Sequence, residues 1–254
     1  MNQSTKVTVI VVHWNTPDEL KTQISNLKPS TNVEIIVVDN NSIKETVNQL
    51  KGFKLQDRGY KVVYNKKNLG FAKACNQGAK LSKGKWLLFL NPDTYISSHN
   101  TLRFLREAEE LNYDAASLKP SSNNYSKPLP SALSLLVEFS PLRRFIPLKI
   151  FKQKTLFGGG LLIKKSVLND LGGWDNHFFL WFEDSDITER LLKGGYRIGW
   201  IKIPHKHIGG TSFNKISEKR KRQIFFSSMS QYAHRHFNAV GVKIFKFVNL
   251  LNNR

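Results

Sequence analysis

Val7–Val12 (VTVIVV) and Val33–Val38 (VEIIVV) are nearly unbroken runs of β-branched and aliphatic residues. A strand with one wet face alternates polar and apolar residues. A run without alternation predicts a strand covered on both faces, as in a parallel α/β sheet. Thr16-Pro17-Asp18-Glu19 follows the first run and reads as a helix start, with Thr at the cap, Pro at the first helical position and Glu three residues after the cap. Ser42 with Glu45 repeats the capping-box pattern after the second run. Lys61–Tyr64 reads as a short third strand, Asn68–Leu81 as a helix, and Trp86–Leu90 (WLLFL) as a fourth strand ending in Asn91-Pro92-Asp93. Strands separated by helical segments imply parallel pairing with helices on both faces, an α/β fold with a Rossmann-like nucleotide-binding half.

Beyond Leu118 the alternation stops. Residues 119–155 are rich in Pro and Ser and hold no acidic residue after Glu138, while Arg143, Arg144, Lys149, Lys152 and Lys154 are mixed with Phe, Leu and Ile. Order resumes at Phe157-Gly158-Gly159-Gly160, with a strand at Leu161–Ile163, a short helix ending near Gly172-Gly173, a helix at Glu183–Lys193 and a strand at Arg197–Ile201. The chain divides on this reading into a domain of residues 1–214, with halves at 1–118 and 156–214, and a basic C-terminal segment, 215–254.

Composition narrows the class. The chain has 254 residues, with 39 Lys plus Arg against 19 acidic residues, a net charge of +20. Hydrophobic residues make up 40% and Phe alone numbers 17, enough for a packed core and too many for a disordered chain. Cys75 is the only cysteine, which excludes a disulfide framework and fits a reducing compartment. No apolar run approaches the ~18–20 residues that span a bilayer, and the polar N-terminus lacks a signal peptide pattern. The expectation is a cytoplasmic protein whose charge suits nucleic acid, an anionic membrane or a polyphosphate substrate.

In a parallel α/β sheet, ligands bind beyond the carboxyl ends of the strands. Three polar clusters fall there: His13-Trp14-Asn15, Asp39-Asn40-Asn41-Ser42 and Asn91-Pro92-Asp93. Each alone is accounted for by a cap or turn; all three share one rim of the predicted sheet. Asn68-Leu69-Gly70-Phe71 adds a Gly-containing helix start whose N–H groups suit an anion or a base edge. It matches neither the phosphate-binding loop nor the dinucleotide fingerprint. Asp93 fits either a turn or an oxygen ligand to a divalent cation that keeps phosphate oxygens as further ligands. His207, in His207-Ile208-Gly209-Gly210-Thr211-Ser212, is either a hydrogen-bonded structural residue or the partner of Asp93 at a metal. The densest acid cluster is Glu183-Asp184-Ser185-Asp186, entered through Phe178-Phe179-Leu180-Trp181-Phe182. A helix dipole alone stabilises acids at a first turn, but an aromatic run leading into them describes a partly dry pocket with a base. Asp186 and Arg190, four apart, pair on one helix face. Glu183 or Asp184 is left as the base.

In this order the clusters resemble the family-2 inverting nucleotide-sugar glycosyltransferases of GT-A fold, the bacterial rhamnosyltransferase-like branch in particular. The carrying motifs are VTVIVVHWNT, VEIIVVDNNS, NKKNLGFAKACNQG, LLFLNPDT, FGGGLLIKKSVLNDLGGWD, FFLWFEDSDITERLLKGGYRI and HIGGTS, spanning residues 7–212. The resemblance implies donor binding by Asn15, Asp39, Asn68, Gly70, Asn91 and Asp93. It implies a divalent cation, Mg²⁺ or Mn²⁺, at Asp93 and His207, with Asn91 replacing the first acid of the family's DxD motif. It also implies Asp184 as general base, and Gly159, Trp181 and Glu183 against the acceptor or transferred sugar. The expected reaction moves rhamnose or a related hexose, with inversion, from a dTDP- or UDP-sugar to a glycan or polyprenyl-diphosphate-linked acceptor.

Two other classes are weighed against this. A nucleotidyltransferase wants a Gly-rich basic signature after the first strand, and His13-Trp14-Asn15-Thr16-Pro17 has none. A nucleic-acid-binding module wants basic residues interleaved with exposed aromatics on a recognition element, whereas the motifs here are acidic or amide-rich. Nucleic acid is therefore not an expected partner. The surplus charge instead clusters at 139–154 and from Lys215 onward, where nine basic residues face one acidic residue, a net of +8. Mixed basic and apolar residues there either dock on an anionic membrane, placing the enzyme at the inner face of the cytoplasmic membrane, or pack their Phe residues on the domain.

Overall fold

Strand β1 (Val7–His13) lies inside a seven-stranded sheet, with every residue buried. In the computed structural model, which describes residues 5–119, 127–210 and 216–252, it is flanked by β2 (Val33–Asp39) and β4 (Trp86–Leu90), and β3 (Lys61–Tyr64) forms an edge. All three pairings among these strands are parallel. Side chains alternate between the two faces, as strand geometry requires. Val7, Val9 and Val11 enter one core with Leu20, Ile35 and Phe104; Ile10 and Val12 enter a second with Cys75, Phe89 and Trp174. Double-sided burial explains why the first run lacks alternation.

Helices α1 (Pro17–Asn26), α2 (Lys44–Gly52) and α3 (Phe71–Leu81) connect these strands. The two expected caps are spent otherwise. Thr16 makes no cap bond; its Oγ1 lies 2.9 Å from His13 Nδ1. Ser42 stands one residue before the cap position of α2, and its Oγ accepts the Asn15 N–H at 2.8 Å, tying the loops after β1 and β2 together. Helix α3 starts at Phe71, not Asn68, because Gly70 precedes it at φ +83°.

The second half adds β5 (Thr94–Tyr95), α4 (Ser98–Glu110), β6 (Ala115–Leu118), α5 (Ala132–Glu138), β7 (Gly160–Lys164), α6 (Lys165–Asp170), α7 (Glu183–Lys193), β8 (Ile198–Ile201) and β9 (Lys206–His207). The main sheet runs β3-β2-β1-β4-β7-β6-β8, with β7 antiparallel to both of its neighbours. Strands β5 and β9 form a separate antiparallel pair.

Helices α8 (Glu218–His236) and α9 (Ala239–Asn252) follow. Met229, Tyr232 and Ala233 of α8 and Phe245 of α9 join a third core with Leu135, Phe178 and Phe182. Phe residues of the C-terminal segment thus pack on the domain, although the segment's first residue, Lys215, lies outside the described residues. The packing is locked by charge. Asp186, fully buried, takes Arg190 Nε at 2.8 Å and Nη2 at 2.7 Å on Oδ2, and His236 Nε2 lies 2.8 Å from Oδ1. Arg235 pairs with Asp175 alongside. Removing one partner of a buried carboxylate leaves its charge under-compensated. His236→Ala is therefore expected to lower Tm by roughly 2–6 °C in a scanning melt; an unchanged Tm would show that α8 is held without this contact.

Candidate active site

The carboxyl ends of β1, β2 and β4 meet because the strands are parallel and in register. His13 sits opposite Asp39, and their Nε2 and Oδ1 atoms are 3.7 Å apart in a buried position. Burial pushes the Asp39 carboxyl up, against hydrogen bonding from Ser42. Asn15, at φ +54°, accepts the Ile43 N–H on its Oδ1 at 2.8 Å. Asn15 and Asp39 therefore shape the rim and do not line the cavity beside it.

That cavity holds about 700 Å³ and brings together Asn68, Gly70, Asn91, Asp93, Gly159, Trp181, Glu183, Asp184 and His207. Asn40 organises its floor. Its Nδ2 donates to Asn68 Oδ1 at 2.9 Å and Gly70 O at 3.2 Å, and its Oδ1 accepts the Leu69 N–H at 3.0 Å. Gly70 N–H donates to Asn68 Oδ1, and Phe71 N–H donates to Phe179 O at 2.9 Å. These three N–H groups are committed to protein acceptors, which departs from the expected anion-binding helix start. Gly70 instead serves a close approach: a Cβ there would lie 2.5 Å from Phe179 O. Glycine joins the first half of the chain to the aromatic loop of the second.

Asn91 and Gly159 form a second joint. Asn91 N–H donates to Gly159 O at 3.1 Å, and a Cβ on Gly159 would fall 2.4 Å from Asn91 Nδ2. The β5–β9 pair then places Asp93 by His207. Thr94 is in register with His207, Ile208 N–H donates to Asp93 O at 3.1 Å, and His207 Nε2 lies 3.5 Å from Asp93 Oδ1. The His207 ring packs on Phe157 at a centroid distance of 4.8 Å. A nearly buried carboxylate and an imidazole converging on one cavity fit a divalent cation that takes its other ligands from phosphate and water. No cluster of three or more His, Cys, Asp or Glu suited to a metal occurs among the described residues. Thr211 and Ser212 of the HIGGTS motif lie outside the described residues.

Glu183 and Asp184 open α7, at the end of the aromatic loop. Trp181 (φ +64°) and Phe182 (φ +65°) are both left-handed, a conformation costing on the order of 1–3 kcal/mol per bulky residue and concentrated at functional sites. This turn aims both acids into the cavity. Asp184 Oδ1 accepts the Ser185 N–H at 2.8 Å, and its Cβ is met by Gly158, where an added Cβ would lie 3.1 Å away. Glu183 Oε2 is buried without a hydrogen bond. Desolvation, then the Asp184 charge, raise Glu183 to about 8. Desolvation also raises Asp184, but the Ser185 hydrogen bonds and the Lys127 ammonium pull it down. Burial thus raises both adjacent carboxyls, Glu183 with the added push of the Asp184 charge.

The cavity wall also contains residues that the motifs did not single out: Lys127, Glu138, Phe139, Arg220, Ile224 and Phe225. They come from the Pro-rich segment, α5 and α8, whose sequences carry no feature beyond mixed basic and aromatic composition.

Residues 8–172 match glycosyl transferase family 2, and the chain belongs to that family. It is a glycosyltransferase. Residues 149–215 match the N-terminal domain of galactosyltransferase. The putative glycosyltransferase EpsH of Bacillus subtilis is 21% identical over 236 residues, covering 89% of this chain and 67% of that protein. The rhamnosyltransferase WbbL of Escherichia coli is 23% identical over 216 residues, covering 78% and 81%. Among solved structures, the mannosyltransferase PcManGT from Pyrobaculum calidifontis, in complex with GDP-Man and Mn²⁺, superposes with a TM-score of 0.59 at 14% identity, over 96% of this chain and 74% of that one. S. aureus TarS 1-349 gives 0.53 at 18% identity, over 93% and 73%. These likenesses give the fold, the GT-A arrangement.

Folding raises Glu183 from 4.5 to about 8, so between those values the folded chain holds a proton that the unfolded chain has released. The resulting stability is full below pH 4.5 and is lost as pH rises through about 8. Glu183→Gln is expected to flatten the fall of Tm over that window. A variant whose Tm falls as steeply as wild type would show that Glu183 is ionised throughout.

Proposed function

We propose that the protein transfers a sugar, rhamnose or a related hexose, from a dTDP- or UDP-sugar to a hydroxyl of a cell-surface polysaccharide or lipid-linked glycan precursor, with inversion at the anomeric carbon. The observation that carries this reading is the convergence of two pairs, Glu183–Asp184 and Asp93–His207, on one cavity. Asp184 is the base. It takes the acceptor hydroxyl proton as the oxygen attacks the face of the sugar opposite the leaving diphosphate, and no covalent intermediate is needed. Glu183, protonated at neutral pH, donates a hydrogen bond toward the acceptor or transferred sugar beside Trp181. Asn91 offers its amide to ribose or sugar, and Gly159 keeps that approach open. Asp93 and His207 would hold a divalent cation, which supplies charge neutralisation to the departing nucleoside diphosphate. Asp39, beneath the rim, orients the loop that receives the nucleotide. Leu135 of α5 and Ile224 and Phe225 of α8 put apolar surface on the cavity wall, and charge interactions strengthen as such a site dries on substrate binding. WbbL, named a rhamnosyltransferase, supports the choice of donor sugar, and the poly(ribitol-phosphate) beta-glucosyltransferase of Bacillus spizizenii, 27% identical over 114 residues, supports a cell-envelope acceptor.

Asp184→Asn keeps shape and removes the base. With a competent donor and acceptor its kcat is expected to fall by about 10²–10⁴ with Tm held; turnover near wild type would refute the assignment. EDTA is expected to abolish transfer, and Mg²⁺ or Mn²⁺ to restore it. Full activity in chelator would remove the cation role of Asp93 and His207.

A further inference from the structure

The exposed large apolar side chains are unevenly distributed. Leu142 and Ile150 lie in two consecutive 3₁₀ turns, Pro141–Arg144 and Leu148–Ile150, Phe145 closes the first of them, and Val240, Phe247 and Leu250 lie on α9. Phe145 is 81% exposed, Leu250 71% and Phe247 55%. Helix α5 packs against both turns and against α9; a Cβ on Gly241 of α9 would sit 3.3 Å from the Ala132 Cβ. Exposed cations are interleaved with the apolar tips: Arg143, Arg144 and Lys149 in the turns, Lys243 and Lys246 on α9. No acidic residue occurs from Phe139 to Lys154, nor anywhere after Glu218. The carboxylate of α5, Glu138, lines the cavity.

The other basic run of the C-terminal segment lies elsewhere. Arg220 lines the cavity, while Lys219, Lys221 and Arg222 border a neighbouring hollow with Trp181, Phe225 and Phe226. The two basic stretches of the C-terminal segment, Lys219–Arg222 and Lys243 with Lys246, therefore have different places in the fold.

We propose that the surface formed by the 141–150 turns and α9 docks on an anionic lipid bilayer, with Phe145, Phe247 and Leu250 entering the headgroup layer and the five cations meeting lipid phosphates. Apolar tips beside a surplus of cations are the features that hold a protein at such an interface. A second copy of the chain is the poorer partner, because a two-fold contact through this surface sets like charges against one another. Among the described residues no helix is long and apolar enough to cross a membrane, and docking of this kind needs none. The proposal is independent of the transfer chemistry.

The test is flotation of the full chain with phosphatidylcholine vesicles, with and without phosphatidylglycerol. Wild type is expected to float with phosphatidylglycerol at low salt, to be released by salt, and to stay unbound with phosphatidylcholine alone. Phe145→Ser with Phe247→Ser, and separately Arg143→Glu with Arg144→Glu, are each expected to weaken partitioning by about tenfold or more. The charge pair is fully exposed and keeps the test valid where the Phe pair disturbs folding. Lys219→Glu with Lys221→Glu is expected to have a smaller effect than either. The proposal falls if wild type fails to float with phosphatidylglycerol at low salt or if both surface variants bind like wild type. It also falls if the Lys219/Lys221 pair has the larger effect, or if sedimentation shows a dimer that the Phe variant dissociates.

Discussion

Two adjacent carboxyls, Glu183 buried and Asp184 half-buried, stand at the first turn of α7, and much of the second half of the chain is arranged around that constraint. A buried charge is tolerated only where other groups compensate it. The N-terminus of α7 supplies a partial positive charge, and Asp184 adds the Ser185 N–H and the nearby Lys127. The third acid, Asp186, would repel both. It is paired with Arg190 and held by His236, the latter brought from the end of α8, fifty residues away, and its remaining field still raises Glu183. What remains uncompensated holds the Glu183 carboxyl up at about 8. The same contact that quiets Asp186 docks α8, and α8 carries Ile224 and Phe225 to the cavity wall. Catalytic dryness and C-terminal packing thus share one cause.

The halves of the chain are joined where side chains are missing. Gly70 lets the start of α3 touch the Phe179 carbonyl, and Gly159 lets β7 pass beside Asn91. The first contact anchors the aromatic loop whose left-handed Trp181 and Phe182 aim the acids; the second places Asn91 within the same cavity. The β5–β9 pair brings Asp93 of the first half beside His207 of the second. Each functional pair is therefore set by backbone geometry between distant segments, while the nearest sequence neighbours serve mostly as support.

Much of the first half was legible in the sequence, since double-sided burial leaves an unmistakable run in β1 and β2. The helix caps were not. Thr16 and Ser42 have side chains that fit a cap and are used across loops, and local spacing does not separate those uses. The order of the second half was also hidden: β6 is only four residues long, and the antiparallel direction of β7 depends on its neighbours. Within the site, acid clusters and strand-end polar residues are visible as letters. The left-handed turn at Trp181–Phe182 is not, because bulky residues carry no signal for positive φ. Lys127 is hidden for a different reason: a single cation in a chain of net charge +20 stands out only once the fold sets it beside acids, while Arg220 belongs to the C-terminal basic run and only the fold places it on the cavity wall.

Carbon-13 NMR titration of the side-chain carboxyls in wild type, Glu183→Gln and Asp184→Asn tests the proton placement most directly. A protonated Glu183 beside an ionised Asp184 predicts one carboxyl titrating near pH 8 in wild type. That signal is absent in Glu183→Gln and moves down in Asp184→Asn, where the neighbouring charge is gone. Two carboxyls titrating near their ordinary values of 4.5 and 3.8 would contradict the acid–base division on which the reading of this site rests.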